Sequence, residues 1–373
     1  MPNKPQFVGE RVKLGDLCGV CSGGTPKRSV SEYWNEGSIP WVKISDISGK
    51  FVSSTEELIT EAGLKGSSAK LLAPGTLLYS IFASIGAVGI LKIPAATNQA
   101  IAGLSIKTDR IERDYLYYFL KSRESLAKSS GRGAAQNNIN LTILRGMEVP
   151  VPAIGEQKAI VEQLEIIAAQ IKQAKTQLDQ LNSLVKSRFV EMFGDLDSDD
   201  SRPLKDVCSI ITDGTHQPPK FVDEGIPFLF VSNIASDVVD YETNKFISAE
   251  DYEQLIRRTP IEIGDALVSA VGSFGHPAVV RDGRPFCFQR HIAYLKPRHN
   301  LVDSDYLHAA LLSDDAQRYM DRCAKGVAQR TVTLKSFKEM KIPVPSMCLQ
   351  EEFAAFVSQV DKSRFAHLDN VLA

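Results

Sequence analysis

Residues 156–193 read EQKAIVEQLEIIAAQIKQAKTQLDQLNSLVKSRFVEMF, and this stretch decides the architecture of the chain. Its apolar residues alternate between spacings of four and three, as in the heptad of a coiled coil, at Ile160, Leu164, Ile167, Ile171, Ala174, Leu178, Leu181 and Val185. Gly155 precedes the stretch, Gly194 follows it, and no proline or glycine interrupts it. At about 1.5 Å per residue the predicted helix is roughly 57 Å long and needs a partner. The alternative is a long helix lying across a single globular body.

The composition is that of a folded protein with two or three domains. The chain has 373 residues, of which 43% are hydrophobic and 24% are charged. The opening residues MPNKPQFVGE lack the apolar core of a signal peptide, and the longest apolar run, near residues 77–93, is broken by Gly86 and Gly89. The six cysteines are irregularly spaced, unlike those of a secreted disulfide framework. We therefore expect a cytoplasmic protein.

The charge is segregated along the chain. A net charge of −2 and a pI near 6.3 argue against a uniformly basic surface for nucleic acid. Lys and Arg nevertheless outnumber acidic residues in segments 121–145 and 317–341, whereas acidic residues cluster at 191–200. This distribution fits a protein that meets a polyanion on some faces only, although solvated helix surfaces could give the same counts.

The segments before and after the long helix carry the same pattern in the same order. Five pairs match: LGDLCGVCSGGTP (14–26) with LKDVCSIITDGTH (204–216), GSIPWVKISDI (37–47) with GIPFLFVSNI (225–234), PGTLLYSIFASIG (74–86) with IGDALVSAVGSFG (263–275), DYL (114–116) with DYL (305–307), and GAAQNNINLTILRGMEVPVP (133–152) with GVAQRTVTLKSFKEMKIPVP (326–345). Ordered matches of this kind indicate an internal duplication.

The duplication predicts four segments. They are an α/β module over 1–152 (module 1), a central long helix over 153–194, a second α/β module over 195–345 (module 2), and a distal helix over 346–373 that pairs with the central one. The predicted fold class is α/β, with two homologous domains separated by long helices that form an antiparallel coiled coil with a pseudo-twofold axis. The distal helix is shorter and less regular than the central one.

Local patterns predict the main elements of module 1. Residues 37–47 alternate in apolar character and predict a strand, as do residues 98–107. Residues 74–92 predict two strands joined through the turn at 84–86. Residues 114–122 predict a helix with Asp114 as its N-cap.

The common motifs of catalysis and metal binding are missing from the sequence. The lone CGVC has no second CxxC, and the repeat places Cys18 over Cys208 but Cys21 over Ile211, which favours a structural role. The six histidines show no HExxH spacing, and there is no phosphate-binding loop, dinucleotide motif or amino-methyltransferase tetrad. We predict no catalytic residues and no metal site, so binding is favoured over catalysis.

Polar, glycine-punctuated loops occupy equivalent places in the two modules. Arg and Lys suit the guanine edge, Asn and Gln suit the adenine edge, and Gly lets backbone N–H groups approach phosphates. The framework repeats while the loop residues differ, which predicts two different DNA sequences, although each loop alone is compatible with a solvated turn. The predicted DNA-binding residues are Thr25, Lys27, Arg28, Arg132, Gln136, Asn137, Asn138 and Asn140 in module 1, and His216, Lys220, His276, Lys325, Gln329, Arg330 and Thr331 in module 2.

The duplicated order resembles the specificity subunits of type I restriction-modification systems over the whole chain. The motifs that carry the resemblance are the GTP turn (24–26), IPWVKISDI (39–47), the small-residue strand pair around Gly86, GAAQNNINL (133–141) and VPVPAIGEQKAIVEQL (149–164). The second copy departs from the pattern, with QEE (350–352) in place of EQK and a shorter final helix.

The resemblance implies a non-catalytic protein that recognises a bipartite, asymmetric site in double-stranded DNA through two target-recognition domains. The implied partners are methylation subunits, two in number, and restriction subunits, with no membrane. S-adenosylmethionine, ATP and magnesium are then expected on the partner subunits, and no cofactor on this chain. Two alternatives remain open, namely a specificity subunit that serves a fused methylase-nuclease, and a coiled-coil scaffold that binds no nucleic acid.

Overall fold

The computed structural model describes residues 9–82, 85–130, 139–194, 201–217, 219–326 and 329–372, with only the backbone described over 124–130 and 364–372. Contacts divide the chain into two compact units, Met1–Ala169 and Gln170–Ala373. Each unit carries one copy of the repeat.

Module 1 folds around a mixed sheet with the strand order β2-β9-β6-β7-β4. A smaller sheet has the order β5-β3-β8, and β1 pairs with β10. The elements are β1 (Arg11–Lys13), α1 (Leu14–Leu17), β2 (Cys18–Ser22), β3 (Ile39–Val42), β4 (Phe51–Val52), β5 (Glu57–Ile59), α2 (Glu61–Lys65), β6 (Leu77–Ser80), β7 (Val88–Leu91), β8 (Ala96–Thr97), β9 (Ile101–Ile106), α3 (Arg113–Ser130), α4 (Leu141–Arg145) and β10 (Glu148–Pro150), followed by the long helix α5 (Ile154–Phe193).

Module 2 repeats this arrangement. Its sheets have the orders β12-β18-β15-β16 and β14-β13-β17, and β11 pairs with β19. The elements are β11 (Ser201–Pro203), α6 (Leu204–Val207), β12 (Cys208–Asp213), β13 (Ile226–Leu229), β14 (Phe246–Ile247), α7 (Ala249–Leu255), β15 (Ala266–Ser269), β16 (Pro277–Val279), β17 (Cys287–Phe288), β18 (Ile292–Pro297), α8 (Ser304–Leu312), α9 (Asp314–Cys323), α10 (Leu334–Glu339) and β19 (Lys341–Pro343), followed by α11 (Met347–Leu372). The predicted α/β duplication with a long helix between the copies is confirmed.

The described residues of the turn after the central strand make the same hydrogen bonds in both copies. Gly86 and Gly275 have φ of 92° and 89°, a left-handed conformation that favours glycine. Their N–H groups donate to the carbonyl oxygens of Ser80 and Ser269, at 3.1 and 2.9 Å respectively. The hydroxyl of each serine also accepts from the N–H of the residue after the glycine. The repeated Ser and Gly of the sequence therefore specify one turn.

The predicted N-cap at Asp114 is wrong. Helix α3 begins at Arg113, and the carboxylate of Glu112 accepts from the N–H of Tyr115 at 2.7 Å, so Glu112 caps the helix. The Asp114 carboxylate instead accepts from Lys50 at 3.0 Å and from Arg113 at 2.9 Å. Starting the helix one residue earlier frees Asp114 for this ion pair.

The end of α5 packs onto the first half of α11 through aromatic side chains. The rings of Phe189 and Phe193 each lie 5.6 Å, centroid to centroid, from that of Phe353, and Phe193 lies 4.9 Å from Tyr306 of α8. All four side chains belong to the main core of module 2. The contact fits pairing of the two helices, and their antiparallel pairing over the remaining length and the pseudo-twofold axis stay predictions.

A buried glutamine fixes the start of α5 to module 1. The Gln157 side chain is fully buried. Its Oε1 accepts from the N–H of Glu112 at 2.8 Å, and its Nε2 donates to the carbonyl oxygens of Arg110 and Pro152, both at 2.8 Å. Since the Gln157 side chain hydrogen-bonds three backbone groups of module 1 at once, the first turns of α5 are a rigid part of module 1.

Gln350 repeats this anchor in the second copy. Its Oε1 accepts from the N–H of Asp303 at 2.9 Å, and its Nε2 donates to the carbonyl oxygens of Leu301 and Pro345 at 3.1 and 2.8 Å. The glutamine of QEE is therefore equivalent to that of EQK, because Gln350 makes the same hydrogen bonds as Gln157. The interpretation of QEE as a departure is wrong, because the alignment of Gln350 with Gln157 matches EQK (156–158) to LQE (349–351).

Replacing Gln157 by leucine is expected to lower the free energy of unfolding of module 1 by about 2–3 kcal/mol, because a buried N–H and two carbonyl groups would lose their partner. Urea denaturation followed by circular dichroism measures this change. Gln163→Leu, on an exposed part of the same helix, is the control and should stay within about 0.5 kcal/mol of the wild type. Equal losses in both variants would contradict the anchor.

Candidate nucleic-acid interface

The predicted loops converge on one end of the main sheet in each module. In module 1 the antiparallel register pairs Ser22 with Ala102 and Ser80 with Ile101, so β2 and β6 end where β9 begins. The loops after β2 and β6 and before β9 therefore meet. We call this edge the loop end, formed by 23–30, 81–82, 85–87 and 98–100 in module 1 and by 214–217, 219–220, 270–276, 289–291, 325–326 and 329–331 in module 2.

Close backbone packing holds the first loop of module 1 in place. Gly23 donates its N–H to Ile101 O at 3.1 Å, and Gly24 donates its N–H to Thr97 O at 2.9 Å. A Cβ on either glycine would come within 2.3 Å of neighbouring backbone atoms. Glycine is therefore needed at both positions before Thr25, because a side chain would prevent the loop backbone from packing this closely on its neighbours.

Arg28 is a candidate side chain at this loop end with three side-chain partners. Its guanidinium lies 3.7 Å from the ring centroid of Trp34 and 5.1 Å from that of Trp41, and it pairs with Glu57. The hydrogen bond from Arg28 lowers the pKa of Glu57, so the pair stays charged at neutral pH. A half-exposed guanidinium held on an aromatic face is preorganised for a base edge or a phosphate. Sequence reasoning missed Trp34, Trp41 and Glu57 as its supports.

The other candidates of module 1 have different surroundings. Thr25 donates its hydroxyl to Gln99, and Lys27 is exposed. The Asn140 side chain accepts from the N–H of Ile143 at 2.8 Å and so caps α4. Four predicted residues lie outside the described part of the chain: Arg132, Gln136, Asn137 and Asn138.

The first loop of module 2 places Asp213 between a guanidinium and an imidazole. Its carboxylate pairs with Arg258 and with Nε2 of His216, the latter at 2.9 Å. Lys220 is exposed nearby in sequence, and Arg290 is exposed at the start of β18. Sequence reasoning missed Arg258, because it is brought to this place by the fold from 45 residues away.

Two loops of module 2 that were predicted separately form one surface. Gly272 donates its N–H to Arg330 O at 2.9 Å, and Thr331 forms a backbone bridge with Val271. The backbones of Lys325 and Thr331 bond to each other in both directions, at 3.0 and 2.8 Å. The turn after β15 and residues 325–326 and 329–331 thus lie together at the loop end.

This surface presents exposed polar and basic groups. Arg330 pairs with Asp321 at 2.7 Å and lies 5.2 Å from the ring centroid of Phe274. Lys325 and Gln329 are exposed beside it. In module 1 the segment before α4 is joined to the turn after β6 by the hydrogen bond from the N–H of Ile139 to Ile81 O, at 3.1 Å.

His276 lies on the same turn between two polar partners. Its Nδ1 is 3.2 Å from Oδ1 of Asp237, and its Nε2 is 3.1 Å from Oγ of Ser273. Neither partner was singled out from the sequence. The serine is three residues away in sequence, but the aspartate comes from a distant loop.

The cysteines of the CGVC segment and its counterpart have structural surroundings. Burial raises the pKa of Cys18 to about 11 and that of Cys208 to about 12, so both thiols stay protonated near neutral pH. Within the described ranges, no group of three His, Cys, Asp or Glu residues could hold a metal ion. Among the helices that the structure describes, none combines the length and apolar character needed to cross a membrane.

Several known proteins with similar sequences or folds are specificity subunits of type I restriction-modification systems. The chain is 24% identical over 97% of its length to the type I restriction enzyme EcoBI specificity subunit of Escherichia coli, of which it covers 80%. It is 32% identical over 50% of its length to the MjaIX specificity subunit of Methanocaldococcus jannaschii, of which it covers 44%. The S subunit of a type I restriction-modification system from M. genitalium shares the fold, with a TM-score of 0.50, 15% identity, and coverage of 100% of this chain and 94% of that one.

A family model covers most of the chain. The model is described as the type I restriction modification DNA specificity domain, and it matches residues 9–183 and again residues 200–370. The two matches follow the internal duplication, and they confirm the resemblance predicted from the sequence. The chain therefore belongs to the family of type I restriction-modification DNA specificity domains, of which it carries two copies.

Proposed function

We propose that this chain gives a type I restriction-modification enzyme its DNA specificity by reading a bipartite, asymmetric site. Module 1, over 1–152, reads one half of the site, and module 2, over 195–345, reads the other. The observation that carries the proposal is the pair of matching loop ends with unlike side chains. Arg28 stands on one with its tryptophans, His276 and Arg330 stand on the other, and Arg258 pairs with Asp213 beside it.

The charge distribution supports local contact with DNA. The loop ends carry exposed cations, whereas the whole chain has a net charge of −2. Because non-specific affinity comes mainly from counterion release, the isolated chain should bind duplex DNA weakly. Tight binding is then a property of the assembled enzyme, in which partner subunits also hold the DNA.

The long helix supports the role of an assembly platform. Three of its isoleucines, Ile166, Ile167 and Ile171, are about half exposed, at 54%, 50% and 47%. Exposed apolar side chains on a helix indicate a protein partner. We propose two methylation subunits and the restriction subunits as partners in the cytoplasm.

Catalysis and cofactors belong to the partners in this proposal. S-adenosylmethionine, ATP and magnesium would bind to the methylation and restriction subunits, and this chain would bind none of them. A fused methylase-nuclease could take the place of separate subunits, and the mass of the protein that co-purifies with the chain separates the two arrangements.

Exchanging module 1 for that of a relative is expected to change one half of the methylated motif and leave the other half intact. Single-molecule sequencing of modified bases in cells that carry the exchanged chain and its methylation subunit measures both halves. The reciprocal exchange of module 2 is the matched control and should change only the other half.

The proposal fails if either exchange alters both halves or neither half while methylation persists. Absence of any methylated split motif with the unaltered chain, together with no salt-dependent binding to duplex DNA by the complex, would favour a scaffold that does not bind nucleic acid.

A further inference from the structure

We infer that Ser273 of module 2 reads a base edge, and that Asp237 and His276 hold its hydroxyl so that it only accepts hydrogen bonds. Its partner in DNA is then an exocyclic amino group, N6 of adenine or N4 of cytosine. This inference rests on the proposed function and names a specificity-determining residue within it.

The turn that carries Ser273 is fixed from several sides. Gly272 and Gly275 have φ of 76° and 89°. The N–H of Gly272 donates to Arg330 O at 2.9 Å, and Gln317 of α9 donates to Gly275 O at 2.8 Å. An exposed turn with this many bonds is preorganised, and Ser273 is exposed on it.

Asp237 is held as firmly as the turn. It has φ of 61°, an uncommon conformation for a residue with a side chain. Nε2 of His308 lies 3.3 Å from Asp237 O and 3.2 Å from Pro277 O, and because both are carbonyl oxygens it must donate to them. Burial lowers the pKa of His308, so the ring is neutral. Asp237 therefore stays beside the start of β16, within reach of His276.

The order of donors and acceptors follows from the aspartate. A carboxylate only accepts, so Nδ1 of His276 carries the proton and donates to Asp237 across 3.2 Å. In the imidazole tautomer with that proton on Nδ1, Nε2 is the acceptor, and the Ser273 hydroxyl, 3.1 Å away, donates its single hydrogen to it. Only lone pairs remain on Oγ.

A hydroxyl that can only accept excludes phosphate as its partner, because phosphate oxygens are acceptors as well. The same three side chains occur in hydrolytic triads. Here, however, the N–H groups of both glycines in the turn are already bonded, that of Gly272 to Arg330 O and that of Gly275 to Ser269 O. These two N–H groups are therefore not free to stabilise an oxyanion.

Module 1 lacks this relay at the equivalent place. Gly86 matches Gly275, so Ala87 stands where module 2 has His276. The N–H of each residue donates to the preceding serine hydroxyl, Ser80 or Ser269, at 2.8 and 2.9 Å. These backbone hydrogen bonds are therefore the same, and the side-chain relay is specific to the half-site that module 2 reads.

The test uses the full chain assembled with its methylation subunits and duplexes in which each base pair of the half-site is changed in turn. Ser273→Ala should reduce discrimination at one base pair about three- to tenfold, the size expected for one neutral hydrogen bond, and leave the others unchanged. His276→Ala should relax the same base pair, since the hydroxyl then rotates freely. Ser273→Thr keeps the hydroxyl and should keep the discrimination.

A base analogue that lacks the amino group at this position gives the sharper measurement. It should slow methylation by the unaltered complex and leave Ser273→Ala unaffected. Ser209→Ala, an exposed serine on β12, is the matched control and should behave as the unaltered chain. No change in Ser273→Ala, or equal weakening at all base pairs, would overturn the inference while the proposed function stands. A complex of the unaltered chain that methylates no split motif would overturn both.

Discussion

Two residues inserted beside Thr176 of α5 are expected to abolish DNA recognition. The insertion would rotate everything that follows by about 200° about the helix axis, which turns the second reading surface away from the duplex. Four residues should have a milder effect, because they add about 6 Å and roughly one turn, and one base pair rises about 3.4 Å. We expect this variant to stay active and to prefer a spacer that is one or two base pairs longer.

Methylation mapping with the partner subunits present measures both variants. Thr176 is a suitable site because it is exposed and its hydroxyl bonds only within the helix, to Lys172 O at 3.1 Å. A two-residue insertion beside Gly283, in an exposed loop of module 2 where an added Cβ would meet open space, is the control and should keep the motif. Activity of the four-residue variant with an unchanged spacer would show that the helix does not set the distance.

Phe353→Ala is expected to lower the free energy of unfolding of module 2 by about 3–5 kcal/mol. The side chain is fully buried at the junction of α5, α8 and α11, with Phe189 and Phe193 at 5.6 Å and Tyr306 at 6.5 Å between ring centroids. Its removal leaves a cavity that the surrounding rings cannot fill. Thermal and urea denaturation measure the loss.

Phe356→Ala provides the comparison on the same helix. This ring is half-buried and lies 6.0 Å from the Arg188 guanidinium, so its loss should cost much less. If the two variants unfold alike, the aromatic cluster does not join the helices to module 2. Such a result would leave the hydrogen bonds of Gln350 as the main attachment.

The sequence predicted the fold well where the pattern was local. The heptad spacing found α5, the repeated Ser and Gly found the turns after β6 and β15, and the alternation found β3 and β9. It failed at helix ends, where Asp114 and Glu112 compete within one turn and a carboxylate on either could serve as a cap. Choosing between them needs the position of Lys50, which only the fold supplies.

The loops of the candidate site were found from their residue types, but their partners were not. Asp237 and His276 are 39 residues apart, and Arg258 and Asp213 are 45 apart. Nothing in the periodicity of either segment links them, because sheet order depends on which strands pair and the sequence gives only the order along the chain. Single residues could therefore be suggested, whereas the relay at Ser273 could not.

The pairing of first and last strands has a consequence for synthesis on the ribosome. In module 1 β1 is bonded to β10, with Arg11 opposite Pro150, and in module 2 β11 is bonded to β19, with Ser201 opposite Pro343. The first and last strands of each copy thus pair with each other. At about 5–20 residues per second, the first copy has roughly ten seconds or more to close before the second is complete. The equivalent strands of the newer copy then meet strands of the first copy that are already paired, which protects a duplicated chain against mispairing.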